Sequence, residues 1–261
     1  MANNVTDRAA ATAAAGTDSL FPMEVSLGET GAGCREWLPT LGTDEFAEQC
    51  RSLDHRPPLY RFVKRLFDLV FSACVIAVGF IPGLILSLVI VADTKGSPIY
   101  SQARVGRLGR TFRIYKFRTM VADSDDVEKY LDAEQLAQWH RERKVDNDPR
   151  ITPLGRKLRR LSLDEVPNFL NVLKGDMSVI GPRAVSCEEI EWFGDDAETV
   201  LSVPAGITGL WQATRRNDAT FESGERQRIE LEYAKGAGFA MDFRCFIGTF
   251  GVMFGKKRTG R

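Results

Sequence analysis

The sequence predicts a mainly α-helical protein with small β elements, in which a re-entrant membrane helix carries a cytosolic domain bordered by interfacial amphipathic helices. Three observations support this prediction. One uncharged apolar segment is long enough to cross a hydrocarbon core, basic residues flank it on both sides, and charged residues are frequent in the rest of the 261-residue chain. We expect three regions, at residues 1–58, 59–93 and 94–261.

Residues 1–58 have the composition of a disordered tail. They are rich in Ala, Thr, Gly and Glu, and they show no sustained hydrophobic periodicity. A short helix between Asp44 and Leu53 is the one element expected there. The sequence His55-Arg56-Pro57-Pro58 then marks the boundary to the next region.

The segment from Leu69 to Ala92 contains no Asp, Glu, Lys or Arg. As a straight α-helix it would rise about 36 Å, which is enough to cross the hydrocarbon core of a bilayer. A core helix of a soluble protein is the alternative, but core helices of this length usually carry a polar face. The segment therefore predicts insertion into a membrane.

The centre and the flanks of this segment favour a re-entrant topology over a spanning one. Pro82 lies near the centre, where a proline removes a backbone hydrogen bond and bends the helix. Basic residues lie before the segment and after it, at Arg56, Arg61, Lys64 and Arg65, and at Lys95, Arg104, Arg107, Arg110 and Arg113. Because positive charge is typical of cytosolic flanks, a hairpin with both ends in the cytosol satisfies both. We expect residues 59–93 to form a helix that breaks at Pro82.

Two stretches of the remaining domain could contact a membrane surface. Arginines recur about every third residue between residues 104 and 118, which fits either a solvated face or a contact with anionic lipid. Near the C-terminus, phenylalanines follow one helical stripe, which fits either a core helix or an interfacial helix in the membrane plane. This stripe comprises Phe239, Phe243, Phe246, Phe250 and Phe254.

Asp164 and Glu165 form the candidate catalytic pair. Basic residues crowd the helix before them, and Arg183 follows a Gly-Pro turn. Cations beside a carboxylate favour its ionised form and also bind phosphate groups. A carboxylate in this setting could attack phosphorus or hold a divalent metal. Ser162 and Glu165 also fit a capping box at a helix start, and the spacing alone leaves both interpretations open.

Other functions are less compatible with the sequence. The charge is balanced, with 35 Lys and Arg against 35 Asp and Glu, and no nucleic-acid recognition fold is apparent, so we expect no nucleic-acid partner. His55 and His140 are the only histidines, which makes histidine-based acid–base chemistry improbable. A non-enzymatic, membrane-anchored adaptor that binds anionic lipid or a partner protein is the alternative function.

Several ordered motifs resemble those of the bacterial sugar transferases, the monotopic phosphoglycosyl transferases in their short form. The motifs are KRLFDLV at 64–70, YSQARVGRLGRTFRIYKFRTM at 100–120, DPRITPLGRKLRRLSLDEVPNFLNVLKGDMSVIGPR at 148–183 and GITGLWQATRRND at 206–218. The resemblance covers about residues 59–255. Ala184 departs from it, because many relatives have a second proline there, and Arg215 stands where a glycine is usual.

The resemblance implies an enzyme that moves a hexose 1-phosphate from a UDP-sugar to undecaprenyl phosphate and releases UMP. This reaction initiates exopolysaccharide, capsule or O-antigen synthesis at the cytoplasmic face of the cell membrane. The resemblance also implies roles for individual residues: Asp164 is the nucleophile and binds Mg²⁺, Glu165 is its partner, Arg159 and Arg183 bind phosphate, and Pro82 breaks the membrane helix. The transferred sugar stays open, and a homo-oligomer is compatible with the sequence.

Overall fold

A computed structural model of the chain describes residues 38–142, 145–214 and 223–254. The helices are α1 (Asp44–Ser52), α2 (Pro58–Thr94), α3 (Val127–Tyr130), α4 (Ala133–Glu142), α5 (Pro153–Arg160), α6 (Phe169–Lys174), α7 (Cys187–Glu191), α8 (Ala197–Val200), α9 (Leu210–Thr214), α10 (Glu225–Gly236) and α11 (Phe239–Phe254). The strands are β1 (Ile99–Val105), β2 (Thr111–Phe117), β3 (Ser178–Ile180) and β4 (Gly206–Thr208). Short 3₁₀ helices cover Arg107–Gly109, Leu163–Asn168 and Gly194–Asp196. The predicted mainly α-helical class with small β elements is confirmed for these residues.

Helix α2 is a single helix of 37 residues. It is the one helix of the described part of the chain that is long and apolar enough to cross a membrane, and its most apolar 18-residue window has a mean hydropathy of 2.8. The helix continues through Pro82, and the re-entrant break predicted at this residue stays a prediction. A proline removes one hydrogen bond of the helix, and the bonds of the neighbouring turns are sufficient to continue it.

The first half of α2 turns its polar residues toward the rest of the protein. Lys64 Nζ donates a hydrogen bond of 2.8 Å to Asp242 on α11. Asp68 Oδ1 accepts one of 2.9 Å from the backbone N–H of Val179. The Arg65 guanidinium donates to two carbonyl oxygens at the end of α6. Most exposed side chains of α2 are apolar, and along the helix they include Leu59, Phe62, Leu66, Val70, Val78, Ile81, Ile85 and Leu88. Arg61 and Asp93, near the two ends of the helix, are exposed as well.

The second half of α2 packs on the same domain through apolar contacts. Ile90 is fully buried against Phe117 and Leu158. Between the two halves, a Cβ placed on Gly79 would lie 3.8 Å from the side chain of Val166. Both ends of the 37-residue helix therefore contact one folded domain, and one face of the helix follows the domain surface over its whole length.

Two small sheets organise this domain. β1 and β2 form an antiparallel hairpin in which Ile99 pairs with Phe117 and Val105 with Thr111. β3 and β4 are parallel. The largest apolar cluster surrounds the second sheet and includes Val172, Val179, Ile180, Leu210, Trp211, Ile229 and Tyr233.

The C-terminal phenylalanine stripe of α11 has two different surroundings. Phe246 packs edge-on against Phe67 and Phe71 of α2, with ring centroids 6.0 Å and 5.9 Å apart. Phe239, Phe243 and Phe250 are exposed. The stripe is therefore not a core stripe, because most of its rings face outward beside the exposed face of α2. The side chain of Phe254 lies outside the described residues.

The segment before α2 is folded, in contrast to the predicted tail. The expected short helix is present as α1, and its Phe46 and Cys50 are fully buried in a cluster with Val105, Ile190 and Leu201. The tail prediction is thus wrong for residues 38–57, because averaging composition over the whole segment hid one short apolar face. The predicted tail at residues 1–37 lies outside the described residues.

The arginines between residues 104 and 118 mostly bond inside the protein. Arg104 is paired with Glu189, Arg107 bonds Asp54 and the Ser202 carbonyl, Arg113 bonds Ser101, and Arg118 bonds the Ser97 carbonyl. Arg110 is exposed. Neither a solvated face nor a lipid contact therefore describes this group as a whole.

Replacing Phe46 with Ala is expected to lower the free energy of unfolding by about 3–5 kcal/mol, because it empties a fully buried site. Gln49→Ala, at an exposed position of the same helix, is the control and should change stability by about 0.5 kcal/mol or less. Unfolding of the purified protein in detergent measures both changes. Equal stability of the two variants would mean that α1 is not part of the folded core.

Candidate active site

Helix α5 delivers Arg159 to the site. Thr152 caps the helix by accepting a hydrogen bond of 2.9 Å from the Gly155 N–H, and Pro153 occupies the first turn, where its missing N–H costs little. A Cβ on Gly155 would lie 2.0 Å from the Thr119 carbonyl oxygen, so only glycine lets α5 lie against this backbone. Arg159 Nε then donates 2.9 Å to Thr119 Oγ1.

The turn after α5 directs the chain into the 3₁₀ helix Leu163–Asn168 through a left-handed residue. Ser162 has φ 54° and makes no side-chain capping bond to this helix. A capping serine needs extended backbone angles to reach the N–H of the third helical residue. The capping-box interpretation of Ser162 and Glu165 is therefore wrong, and the acidic pair has other partners.

Glu165 is held from both sides. Lys116 Nζ on β2 donates 2.6 Å to Oε1, and Asn168 Nδ2 donates 2.5 Å to Oε2. Asn168 also accepts the Tyr115 N–H at 3.1 Å, which fastens the 3₁₀ helix to β2. Burial lowers the pKa of the Lys116 ammonium, and the Glu165 carboxylate opposes this shift. Glu165 is thus fixed in place and charge-balanced.

Asp164 is 9 % exposed and lies within electrostatic reach of two site cations. Burial lowers the pKa of the Arg159 guanidinium, and the negative charge of Asp164 acts in the opposite direction. The same carboxylate also counteracts the lowered pKa of Lys116. Asp164 is therefore a carboxylate in a cationic environment, as the sequence predicts.

Arg183 lies on a turn that β4 holds tightly. The Gly181 N–H donates 2.8 Å to the Thr208 carbonyl, and the Gly206 N–H donates 2.7 Å to the Pro182 carbonyl. A Cβ on Gly206 would lie 2.1 Å from the Gly181 nitrogen, so this close approach of two backbones requires glycine. The Arg183 guanidinium lies 5.9 Å from the Trp211 ring centre and forms no ion pair with a carboxylate of the described residues.

A small pocket joins these elements, and we call it the site pocket. It is lined by Arg104, Ile114, Lys116, Glu165, Asn168, Met177, Arg183, Ala184, Gly206 and Ile207. Asp164 and Arg159 belong to the same charged neighbourhood, since Asp164 acts electrostatically on both Lys116 and Arg159. Glu165 and Arg183 therefore line the pocket with Lys116, whereas Asp164 is close enough to act electrostatically on both Lys116 and Arg159. A pocket with Arg183 and Lys116 on its wall can bind a phosphate group.

A buried ionic network supports the pocket from behind. Glu189 pairs with Arg104 at 3.1 Å and with Arg226 at 3.7 Å, and the Arg226 guanidinium lies 4.4 Å from the Trp211 ring centre. Burial alone would raise the pKa of Glu189, but Arg104 and Arg226 hold it below its usual value. Glu189 also completes a capping box with Ser186 at the start of α7.

Sequence reasoning missed Lys116, Asn168 and this network. The Ser-x-x-Glu pattern of Ser186 and Glu189 was a usable signal for the capping box. Lys116 had a weaker signal, since it lies in a stretch predicted to be extended, where every second residue faces the same way. Ala184, a departure from the family pattern, lines the pocket, whereas Arg215 lies outside the described residues.

The acidic pair could supply one carboxylate ligand to a metal ion whose other ligands come from the substrate. Within the described ranges, no three His, Cys, Asp or Glu side chains group as a potential metal site. Mg²⁺ is commonly bound through one or two carboxylates, with waters and substrate phosphates as its other ligands. Asp164 suits this role better than Glu165, whose two oxygens already accept bonds from Lys116 and Asn168.

Comparison with known proteins identifies the family to which this chain is similar. Residues 59–256 match the model of the family described as bacterial sugar transferase. The chain is 39% identical to a UDP-galactose-lipid carrier transferase of Erwinia amylovora over 203 residues, 77% of this chain and 42% of the relative. It is 44% identical to an undecaprenyl-phosphate galactose phosphotransferase of Salmonella typhimurium over 166 residues, 62% of this chain and 35% of the relative.

A shorter relative matches over most of its length. The exopolysaccharide production protein ExoY of Rhizobium meliloti is 39% identical over 182 residues, 68% of this chain and 79% of the relative. By contrast, the chain spans less than half the length of the Erwinia and Salmonella proteins. The family match covers α2 from residue 59 onward, both sheets and every residue of the candidate site, so this chain belongs to the bacterial sugar transferase family.

Proposed function

We propose that this enzyme transfers a hexose 1-phosphate from a UDP-sugar to undecaprenyl phosphate and thereby initiates the synthesis of an exopolysaccharide, a capsule or an O-antigen. The names of the Salmonella and Rhizobium relatives support this acceptor and this pathway class. The observation that carries the proposal is the position of Asp164, a buried carboxylate whose charge acts on Arg159 and on Lys116. Lys116 in turn lines the site pocket together with Arg183.

In the first step, a carboxylate oxygen of Asp164 attacks the β-phosphorus of the UDP-sugar. A bond forms between this oxygen and phosphorus, and the bond from phosphorus to the bridging oxygen breaks. UMP leaves with that oxygen, and the sugar phosphate stays on the enzyme as an acyl phosphate. Arg183 and Lys116 would neutralise charge on the transferring phosphoryl group, because they face the pocket.

In the second step, a phosphate oxygen of undecaprenyl phosphate attacks the same phosphorus. The bond to Asp164 breaks, the carboxylate is regenerated, and the sugar leaves on a lipid diphosphate. Two anionic substrates repel each other, so a covalent intermediate lets each of them meet the cationic pocket separately. When bound beside Asp164, Mg²⁺ would supply Lewis-acid neutralisation of phosphate charge. Glu165 would keep Lys116 oriented toward the pocket through their 2.6 Å bond.

The proposed topology is re-entrant, with the domain on the cytoplasmic face of the membrane. Two features of α2 support it: both its ends contact the same domain, and its exposed side chains between Phe62 and Ala92 are all apolar. A helix that spans the bilayer would place its two ends, and the domain residues that they contact, on opposite sides of the membrane. The exposed rings of α11 lie beside this face and would enter the interfacial layer.

Asp164→Asn should abolish UMP release from a UDP-sugar, with a loss of about 10³-fold or more, because it removes the nucleophile but keeps the shape of the side chain. The assay uses a panel of UDP-sugars with undecaprenyl phosphate, which also identifies the transferred sugar. Asp125→Asn, at an exposed position, is the matched control and should keep full activity. Full activity of Asp164→Asn in a folded protein would refute the nucleophile, and lipid binding without turnover in the parent would favour the adaptor function.

Single cysteines at Glu48 and Glu128, on opposite sides of α2 in sequence, test the topology. A membrane-impermeant maleimide should label neither position in intact cells and both in inverted membrane vesicles, because a re-entrant helix keeps both ends in the cytosol. Both variants also carry Cys74→Ser, and the Cys74→Ser protein without an introduced cysteine gives the background labelling of the remaining native cysteines. Labelling of one of the two positions in intact cells would establish a spanning helix.

A further inference from the structure

Glu230 is a buried carboxyl group directly behind the Arg183 turn. It lies on the inner face of α10 and is 1 % exposed. Its Oε2 accepts a hydrogen bond of 3.2 Å from the backbone N–H of Arg183. Its Oε1 is also buried and has no hydrogen-bond partner within the described residues. One oxygen thus fixes the turn, and the other is available to carry a proton.

The groups around Glu230 come from four elements. Arg226 lies on the same helix, Arg183 on the turn, Glu189 on α7 and Cys245 on α11. Burial raises the pKa of Glu230 to about 7, and it does so against the lowering effect of Arg226 and Arg183. Near neutral pH the protonated and ionised forms are therefore both populated.

An anion bound in the site pocket would shift the protonation equilibrium of Glu230. Arg183 lines the pocket and is one of the two cations that favour the ionised form of Glu230. A phosphate group bound to the Arg183 guanidinium adds negative charge on the far side of the same residue. Because like charges disfavour ionisation, the bound anion shifts Glu230 toward its neutral form.

We propose that Glu230 is a positioning residue for the donor's phosphate groups: it holds the Arg183 turn through the Arg183 N–H, and it takes up a proton from solvent when a nucleoside diphosphate sugar occupies the site pocket. The inference rests on the proposed function for the identity of the donor. Protonation on Oε1 leaves the bond from Arg183 N–H to Oε2 intact, so the turn keeps its place in both forms. Donor binding and proton binding are then linked and strengthen each other.

Calorimetry of donor binding measures this linkage. The experiment uses the full chain with Asp164→Asn, so that binding occurs without turnover, and it titrates UDP-glucose and UDP-galactose in buffers of different ionisation enthalpy. The diphosphate of a UDP-sugar does not titrate near neutral pH, so any proton uptake belongs to the protein. We expect a net proton uptake on donor binding near neutral pH, and this uptake should decrease at lower pH, where Glu230 is already protonated before binding.

Two substitutions separate protonation from positioning. Glu230→Gln keeps an oxygen for the Arg183 N–H but cannot titrate, so it should bind the donor with no proton uptake and with an affinity independent of pH. Glu230→Ala leaves the buried N–H without its acceptor and should weaken binding about tenfold or more. Restored binding in Glu230→Gln relative to Glu230→Ala distinguishes positioning of the turn from the general packing of α10.

Proton uptake that persists in Glu230→Gln, or donor binding without uptake in the parent, would overturn this inference and leave the proposed function intact. Absence of binding by every UDP-sugar tested would overturn the proposed donor class, and the inference with it. The two failures are therefore distinguishable.

A measurement without ligand gives an independent result. The pKa of Glu230 is raised above its ordinary value of 4.5, so the stability that neutral Glu230 contributes is complete below pH 4.5 and is lost as the pH rises through about 7. Glu230→Gln stays neutral at every pH. Its melting temperature should match that of the parent at pH 5 and exceed it at pH 8. Equal differences at both pH values would contradict a protonatable Glu230.

Discussion

The contact between the long apolar helix α2 and the folded domain is the constraint on which the rest of the structure depends. Between Phe62 and Ala92 the exposed side chains of α2 are all apolar, so Lys64, Arg65 and Asp68 form their hydrogen bonds on the side that faces the domain. Lys64 meets Asp242, and Asp68 meets the Val179 amide at the edge of the second sheet. Breaking one such pair would leave a buried charge without a partner, which costs free energy. The orientation of the helix relative to the domain is therefore strongly determined.

The same contact determines where the chemistry takes place. Val166, one residue after the acidic pair, lies over Gly79 at the middle of α2. The 3₁₀ helix that carries Asp164 therefore rests on the membrane helix itself, while Asn168 ties it to the hairpin that carries Lys116. If α2 lies in the membrane as proposed, a site built in this way would stay at a fixed depth relative to the bilayer, which a reaction between a cytosolic nucleotide sugar and a lipid phosphate would require.

Local features of the sequence predicted a large part of this arrangement. The apolar run predicted α2, and the basic residues before Asp164 predicted Arg159 as a cation near its carboxylate. Sequence patterns did not predict the structure where backbone angles or contacts between distant residues determine it. Ser162 has left-handed backbone angles, so it does not form the capping box that its sequence spacing suggests. Helix α1 folds because Phe46 packs against Ile190 and Leu201, which lie far along the chain. Glu230 lies 47 residues from Arg183, and no local pattern connects them.

The proposed covalent chemistry at Asp164 is tested most directly by locating the intermediate. The purified enzyme is incubated with its UDP-sugar in the absence of undecaprenyl phosphate, quenched and digested, and the peptide that contains residues 161–174 is sequenced by mass spectrometry. The proposed mechanism predicts a sugar phosphate on the Asp164 side chain that disappears when undecaprenyl phosphate is added before the quench. Release of UMP with an unmodified Asp164, or a sugar phosphate on another residue, would contradict it.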